Sequence, residues 1–270
     1  MNDDEKELLK AGADAAMRPF ANLMERLFGG AVDEVGGMWQ DSLKVRRANR
    51  RVKLLQKLQA QIDDAGFDPQ PIPDSIWIPI LQEASLQDDE DLQTVWASQL
   101  ANAADPRQSC PVTAPFASML RELTVREVKF LDALYDIALT RNPPHRRIAG
   151  IEFQGEVLLE VYSNAGLSRQ QSLAYTTLGD WNEHGTELQA DLDDFSLTMD
   201  LLKRNRILNE SVSTKPIDVS SLVNKMGMNR PPRVPTSVEI PTKVTYSFTQ
   251  LGALFVSACR PPAKSEGLSN

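Results

Sequence analysis

Apolar residues return at three- and four-residue steps along the first part of the chain. Met17, Phe20, Leu23, Met24, Leu27, Phe28, Ala31, Val32, Val35, Met38, Trp39 and Leu43 fall on one helical face, with Arg18, Asn22, Glu25, Arg26, Asp33, Glu34 and Gln40 among the positions between them. A face so continuous has to be covered by a partner helix, by the rest of the protein or by a membrane. Pro19 suits the first turn of a helix and disrupts its middle, which predicts a short helix over about 5–17 and a new or kinked one from 19. The pairs Gly29-Gly30 and Gly36-Gly37 weaken the helix twice, either as hinges or to let helices approach closely.

Beyond this segment the pattern predicts a helix over about 40–64 that ends before Gly66, followed by an extended stretch from Phe67 to Pro73 with three prolines. Ser85 and Asp88 have capping-box spacing, and Asp88, Asp89, Glu90 and Asp91 fill a first turn where a helix favours anions. Leu92, Val95, Trp96, Leu100 and Ala103 then share a packing face until Asp105-Pro106 stops the helix. Thr124 and Glu127 form a second capping box for a helix over about 125–140. Shorter helices are expected over about 157–162 and 168–181, a longer one over 188–204, strands over 207–214 and 243–248, and a closing helix over 249–259.

Helices followed by a strand pair and a last helix make the chain mainly α. The expected parts are an N-terminal amphipathic and basic segment (1–64), a central helical bundle (65–120), a winged-helix-like module with a small β-hairpin (121–262) and a flexible tail (263–270). Such modules often bind nucleic acid, but many only dimerise or scaffold, and Asp191, Asp193 and Asp194 make the candidate recognition helix acidic.

Charge changes the picture most between Lys44 and Lys57. Lys44, Arg46, Arg47, Arg50, Arg51, Lys53 and Lys57 place seven cations in fourteen residues without an acid, in a chain of net charge -8. Three readings stand: an anionic membrane leaflet, nucleic-acid phosphates, or acids elsewhere in the chain. Arg204, Arg206 and Lys215 form a later basic set that could join Arg46, Arg47, Arg50, Arg51 and Lys53 in binding an anion.

The two cysteines, Cys110 and Cys259, have no spaced companions, which argues against a disulfide framework and for a reducing compartment. The start Met-Asn-Asp-Asp-Glu lacks the pattern of a secretory signal, and a cytosolic origin is expected. Phosphate-loop, dinucleotide and zinc-protease motifs are missing, and His145 and His184 are the only histidines. No enzyme, cofactor or metal is expected.

The block from Pro71 to Pro106 resembles the core motif of the Abi-alpha (abortive infection alpha) family of bacterial proteins. Ser85, Leu86, Leu92, Trp96, Ala97, Leu100, Ala101, Asn102, Ala103 and Pro106 carry the likeness, with further matches at Glu34 to Asp41, Arg47 to Asn49, Thr249 to Gly252, Phe255 and Cys259. The resemblance implies a role in anti-phage defence. Some relatives act as membrane effectors held in check beside a nucleotidyltransferase whose nucleic-acid product, a single-stranded DNA oligomer, is the inhibiting ligand, as in Hailong-type defence. Its motif residues look structural, because Leu92, Trp96 and Leu100 share a face.

Taken with the amphipathic segment, the likeness favours a homo-oligomeric effector that is cytoplasmic and associates with, or is inserted in, the bacterial inner membrane. Phe20, Leu23, Met24, Leu27, Phe28, Val32, Val35 and Trp39 would insert or line a channel. The alternative is a soluble nucleic-acid-binding regulator or scaffold.

Overall fold

The structure, a computed structural model, describes residues 18–29, 44–108, 112–141, 148–166, 185–218 and 237–264. Among the described residues the chain is mainly helical, with a helical bundle and a winged-helix-like module that carries a small antiparallel sheet. It divides into two compact units, one running to Asp132 and resuming at Leu254, the other spanning Ala133–Ala253. The helices expected over 5–17 and 168–181 lie outside the described residues.

The first unit begins with a 3-10 turn, Arg18–Phe20, and helix α1, Ala21–Phe28. Leu23, Met24, Leu27 and Phe28 occupy its buried face, and the Phe28 ring meets Trp77 at 4.6 Å between centroids. Helix α2, Lys44–Ala65, follows the predicted span closely and buries Leu54, Leu55, Leu58 and Ile62. Gly66 terminates it with φ 66° and donates its N–H to Ile62 O at 2.9 Å, a left-handed exit that suits glycine.

Helix α3, Asp74–Ala84, does not follow from the periodicity, because prolines precede it and Pro79 sits inside it. Its lost backbone bond is offset by burial of Trp77, Ile80 and Leu81, and Trp77 Nε1 donates to Asp74 Oδ1 at 3.0 Å. Helix α4, Glu90–Ala104, is capped by Asp89, whose carboxylate accepts from the N–H groups of Asp91 and Leu92. This differs from the Ser85 and Asp88 box expected from spacing: Ser85 Oγ donates backward to Gln82 O instead. Ten residues of α4 are buried, including Gln93, Ser98, Gln99 and Asn102, so it is the central helix of the unit.

Helix α5, Pro115–Arg121, is a seven-residue element too short for a periodic signal, started by proline in its first turn. Helix α6, Val125–Arg141, opens with the predicted capping box: Thr124 N–H donates to Glu127 Oε2 at 2.6 Å and Glu127 N–H to Thr124 Oγ1 at 3.4 Å.

In the second unit a three-residue strand β1, Glu152–Gln154, precedes helix α7, Gly155–Gly166, and helix α8, Gly185–Arg204. Strands β2, Leu208–Asp218, and β3, Ser237–Phe248, form the long hairpin, and the sheet order is β1-β3-β2, antiparallel throughout. Phe153 and Phe248 meet edge to face at 6.1 Å in the core of this unit. Sequence anticipates the hairpin but not β1, which is too short to alternate.

Helix α8 ends in a Schellman turn: Ile207 N–H reaches Leu202 O at 2.9 Å, Arg206 N–H reaches Lys203 O at 2.9 Å, and Arg206 has φ 55°. Helix α9, Gln250–Cys259, is capped by Thr249, whose hydroxyl accepts from Gly252 N–H and donates to Arg206 O. A Cβ on Gly252 would stand 2.0 Å from Ile207 O, so no larger residue fits there without a backbone shift.

Among the described residues no helix is long and apolar enough to cross a membrane. This overturns the expected channel-forming membrane effector and its insertion in the inner membrane. The eight residues of α1 span about 12 Å at about 1.5 Å per residue, against a hydrocarbon core of about 30 Å. The face formed by Leu23, Met24, Leu27 and Phe28 is covered by the protein itself; Phe20 is half-buried, and Val32, Val35 and Trp39 lie outside the described residues.

Candidate nucleic-acid interface

The basic helix α2 meets the acidic start of α4 side by side. Lys53 Nζ donates to Glu90 Oε1 at 2.8 Å, and Lys57 Nζ to Glu90 O at 3.1 Å and Thr94 Oγ1 at 2.7 Å. Arg50 donates to Leu86 O at 2.9 Å and stands 3.5 Å from Asp88 Oδ2. From the far side Lys129 of α6 reaches Asp91 Oδ2 at 2.8 Å. The hydrogen bond and charge of Lys53 hold the Glu90 carboxyl below its ordinary range, and those of Lys129 do the same for Asp91.

The four acids therefore have distinct tasks. Asp89 caps α4, while Asp88, Glu90 and Asp91 answer cations from two other helices. Most of these side chains are exposed, so each pair contributes little to stability and can exchange its partner.

The sequence-selected cations are distributed as follows. Arg46 and Arg47 lie in the first turn of α2, ahead of the acid-paired stretch. Arg50 and Lys53 face the α4 acids, and Arg51 is buried. Arg204 and Arg206 belong to the end of α8 in the other unit, both exposed, and Lys215 to β2. Exposed Asp193, Asp194 and Asp200 accompany them on α8, and Asp194 accepts from Tyr162 OH at 2.6 Å. Lys203 of the same helix is held charged by the hydrogen bonds it donates to Glu210 and Asp200.

Behind the charged face, buried polar groups tie α4 to α9. Asn102 Nδ2 donates to Ser98 O, Ala258 O and Arg260 O within 2.7–3.0 Å, and Asn102 Oδ1 accepts from Gln108. Asp105 grips Arg107 at 2.9 Å through both Nε and Nη2, and Arg107 also donates to Ala263 O. Burial pushes the Asp105 carboxyl up, but the Arg107 hydrogen bonds and charge outweigh it and lower its pKa. A cleft of about 290 Å³ opens beside this contact, lined by Leu92, Val95, Val128, Phe255 and Cys259 among others. Burial pushes the Cys259 thiol up to about 12, against the hydrogen bond from Gln99, so it stays neutral.

Sequence reasoning missed Lys57, Glu90 and Asn102 as contact residues. The signal for the first two was present as two oppositely charged runs on the two helices the pattern predicts over about 40–64 and after Asp88; for Asn102 there was only its polarity within an apolar stripe. Cys110, His145 and His184 lie outside the described residues, and among the described residues no group of three or more His, Cys, Asp or Glu could hold a metal ion.

The sequence matches the family described as abortive infection alpha over residues 46–259. The chain belongs to the Abi-alpha family. The Abi-alpha region opens within α2 and closes on the last residue of α9, so it spans the α2, α4 and α9 contacts described above. Its motif residues Trp96, Leu100, Asn102, Gly252 and Phe255 all have structural tasks, in core burial, in tying α9 down or in close backbone approach. Neither curated proteins nor solved structures give a match to this Abi-alpha chain.

Proposed function

We propose that this Abi-alpha protein is a non-catalytic regulatory protein of abortive infection that binds nucleic acid through the amino-terminal half of α2. One observation carries this reading: Arg50, Lys53 and Lys57 of α2 hold anionic and carbonyl oxygens at hydrogen-bond distance, and the same run continues upstream through Lys44, Arg46 and Arg47. A helix so charged suits a phosphate backbone, with sequence-independent and salt-dependent affinity. Reading of duplex bases by the winged-helix-like module is disfavoured, since α8 presents Asp193, Asp194 and Asp200 to solvent.

The test is fluorescence anisotropy of a labelled single-stranded oligonucleotide of about 20 residues, titrated with the full chain over a range of salt. Expected is binding that weakens steeply with salt, with the slope reduced by about 1.4 in an R46Q/R47Q variant, at about 0.7 per lost phosphate contact. Absence of binding at about 50 mM salt ends this reading. A protein-docking scaffold would then take its place, favoured by the exposed apolar side chains Leu197, Val212 and Val244 of the second unit.

A further inference from the structure

Resting on that reading, we infer that the first turn of α4 is an intramolecular competitor for the polyanion: Asp88 and Glu90 occupy cations of α2 that a nucleic-acid phosphate would otherwise take. The geometry matches a phosphate contact in kind. Lys53 and Lys57 converge on Glu90 within 2.8–3.1 Å, one on its carboxylate and one on its carbonyl, and Arg50 spans Leu86 O and Asp88. Glu90 and Asp88 expose 69% and 81% of their side chains, so their carboxylates are held by exposed ion pairs and can be displaced without unfolding α4.

Asp89, which performs the capping, is not among the competitors, so competitor and cap are separable. Asp91 draws on Lys129 of α6 and keeps a third acid at the same edge, which raises the local negative potential an incoming phosphate must overcome. The occupied cations lie in the middle of α2, directly after Arg46 and Arg47. A ligand that first lands on the upstream cations therefore meets the acidic turn as it extends along the helix, and only a chain of several phosphates displaces it.

Neutralising the competitor without touching the cap tests this. The variant D88N/E90Q/D91N retains Asp89 and the shapes of the side chains, and a thermal melt establishes that it folds. The control E152Q/E156Q/E160Q removes the same number of exposed acids from the other unit. The probe is the labelled single-stranded oligonucleotide. Expected is about tenfold tighter binding by the α4 variant and a salt slope steeper by about 1.4, the value for the two freed α2 cations, Arg50 and Lys53, at about 0.7 each. The control should gain far less. Equal binding by the wild-type chain and the α4 variant, or an equal gain in the control, overturns the competitor while leaving α2 as the binding surface. No binding by any of the three overturns the α2 reading itself, and the competitor with it.

Discussion

Helices α1 and α2 present the same problem in different chemistry. Each carries a one-sided face, apolar in α1 and cationic in α2, and each face finds its partner inside the chain. Leu27 of α1 is fully buried and Phe28 packs on Trp77, whereas Lys53 and Glu90 meet in water with more than half of each side chain exposed. Burial removes a surface from negotiation; an exposed ion pair leaves it open to a stronger competitor. The apolar face is committed to the fold, and the cationic face remains exchangeable.

The most severe way to break the comparison is to empty the apolar side. Trp77→Ala should cost about 3–5 kcal/mol, and Leu27→Ala about 2–5 kcal/mol, read as a fall in the urea midpoint. If both cost less than about 1 kcal/mol, α1 is not an integral part of the core, and the contrast collapses.

Acid should act next. Glu90, Asp91 and Asp105 have pKa values lowered in the fold, so their stabilisation is fully present above their unfolded values and is lost as pH falls through the lowered ones. Urea midpoints measured from neutral pH down to about pH 2 should therefore decline on the acid side. Asp105→Asn should flatten that decline more than Glu90→Gln, since Asp105 is buried and holds Arg107 through several bonds, while Glu90 is exposed.

A smaller effect is expected at Arg206, whose φ of 55° puts a side-chain-bearing residue in the left-handed region. Arg206→Gly should leave the fold intact and raise stability by up to about 1 kcal/mol, seen as a higher melting temperature. The smallest change should come from Lys53→Gln, with no resolvable shift in the melt at physiological salt. A large loss there would show that the α2 and α4 pairs are structural after all.

How much of this could be read from sequence follows from the range of each interaction. Local signals were reliable: Thr124 with Glu127, Gly66 after α2, and the apolar register of α4 are decided within a few residues. The same periodicity established that the Leu23 to Phe28 face is covered, but not by what, because Trp77 lies about fifty positions away and in a helix hidden by its prolines. The cap moved from Ser85 to Asp89 because several acids could serve and only the geometry of the turn chooses between them. For the candidate site, the basic run was plain, yet its encounter with Glu90 across 37 positions is a property of helix packing and has no local trace.

The bonds from Asn102 to Ala258 and Arg260 join residues 156 and 158 positions apart. During synthesis at about 5–20 residues per second, α4 therefore waits roughly 8–30 s for the strand of chain that completes its hydrogen bonds, and the whole second unit leaves the ribosome first. A nascent protein of this kind spends that interval with the amide of Asn102, and with Leu92 and Val95 on the same helix, lacking the last helix beside them.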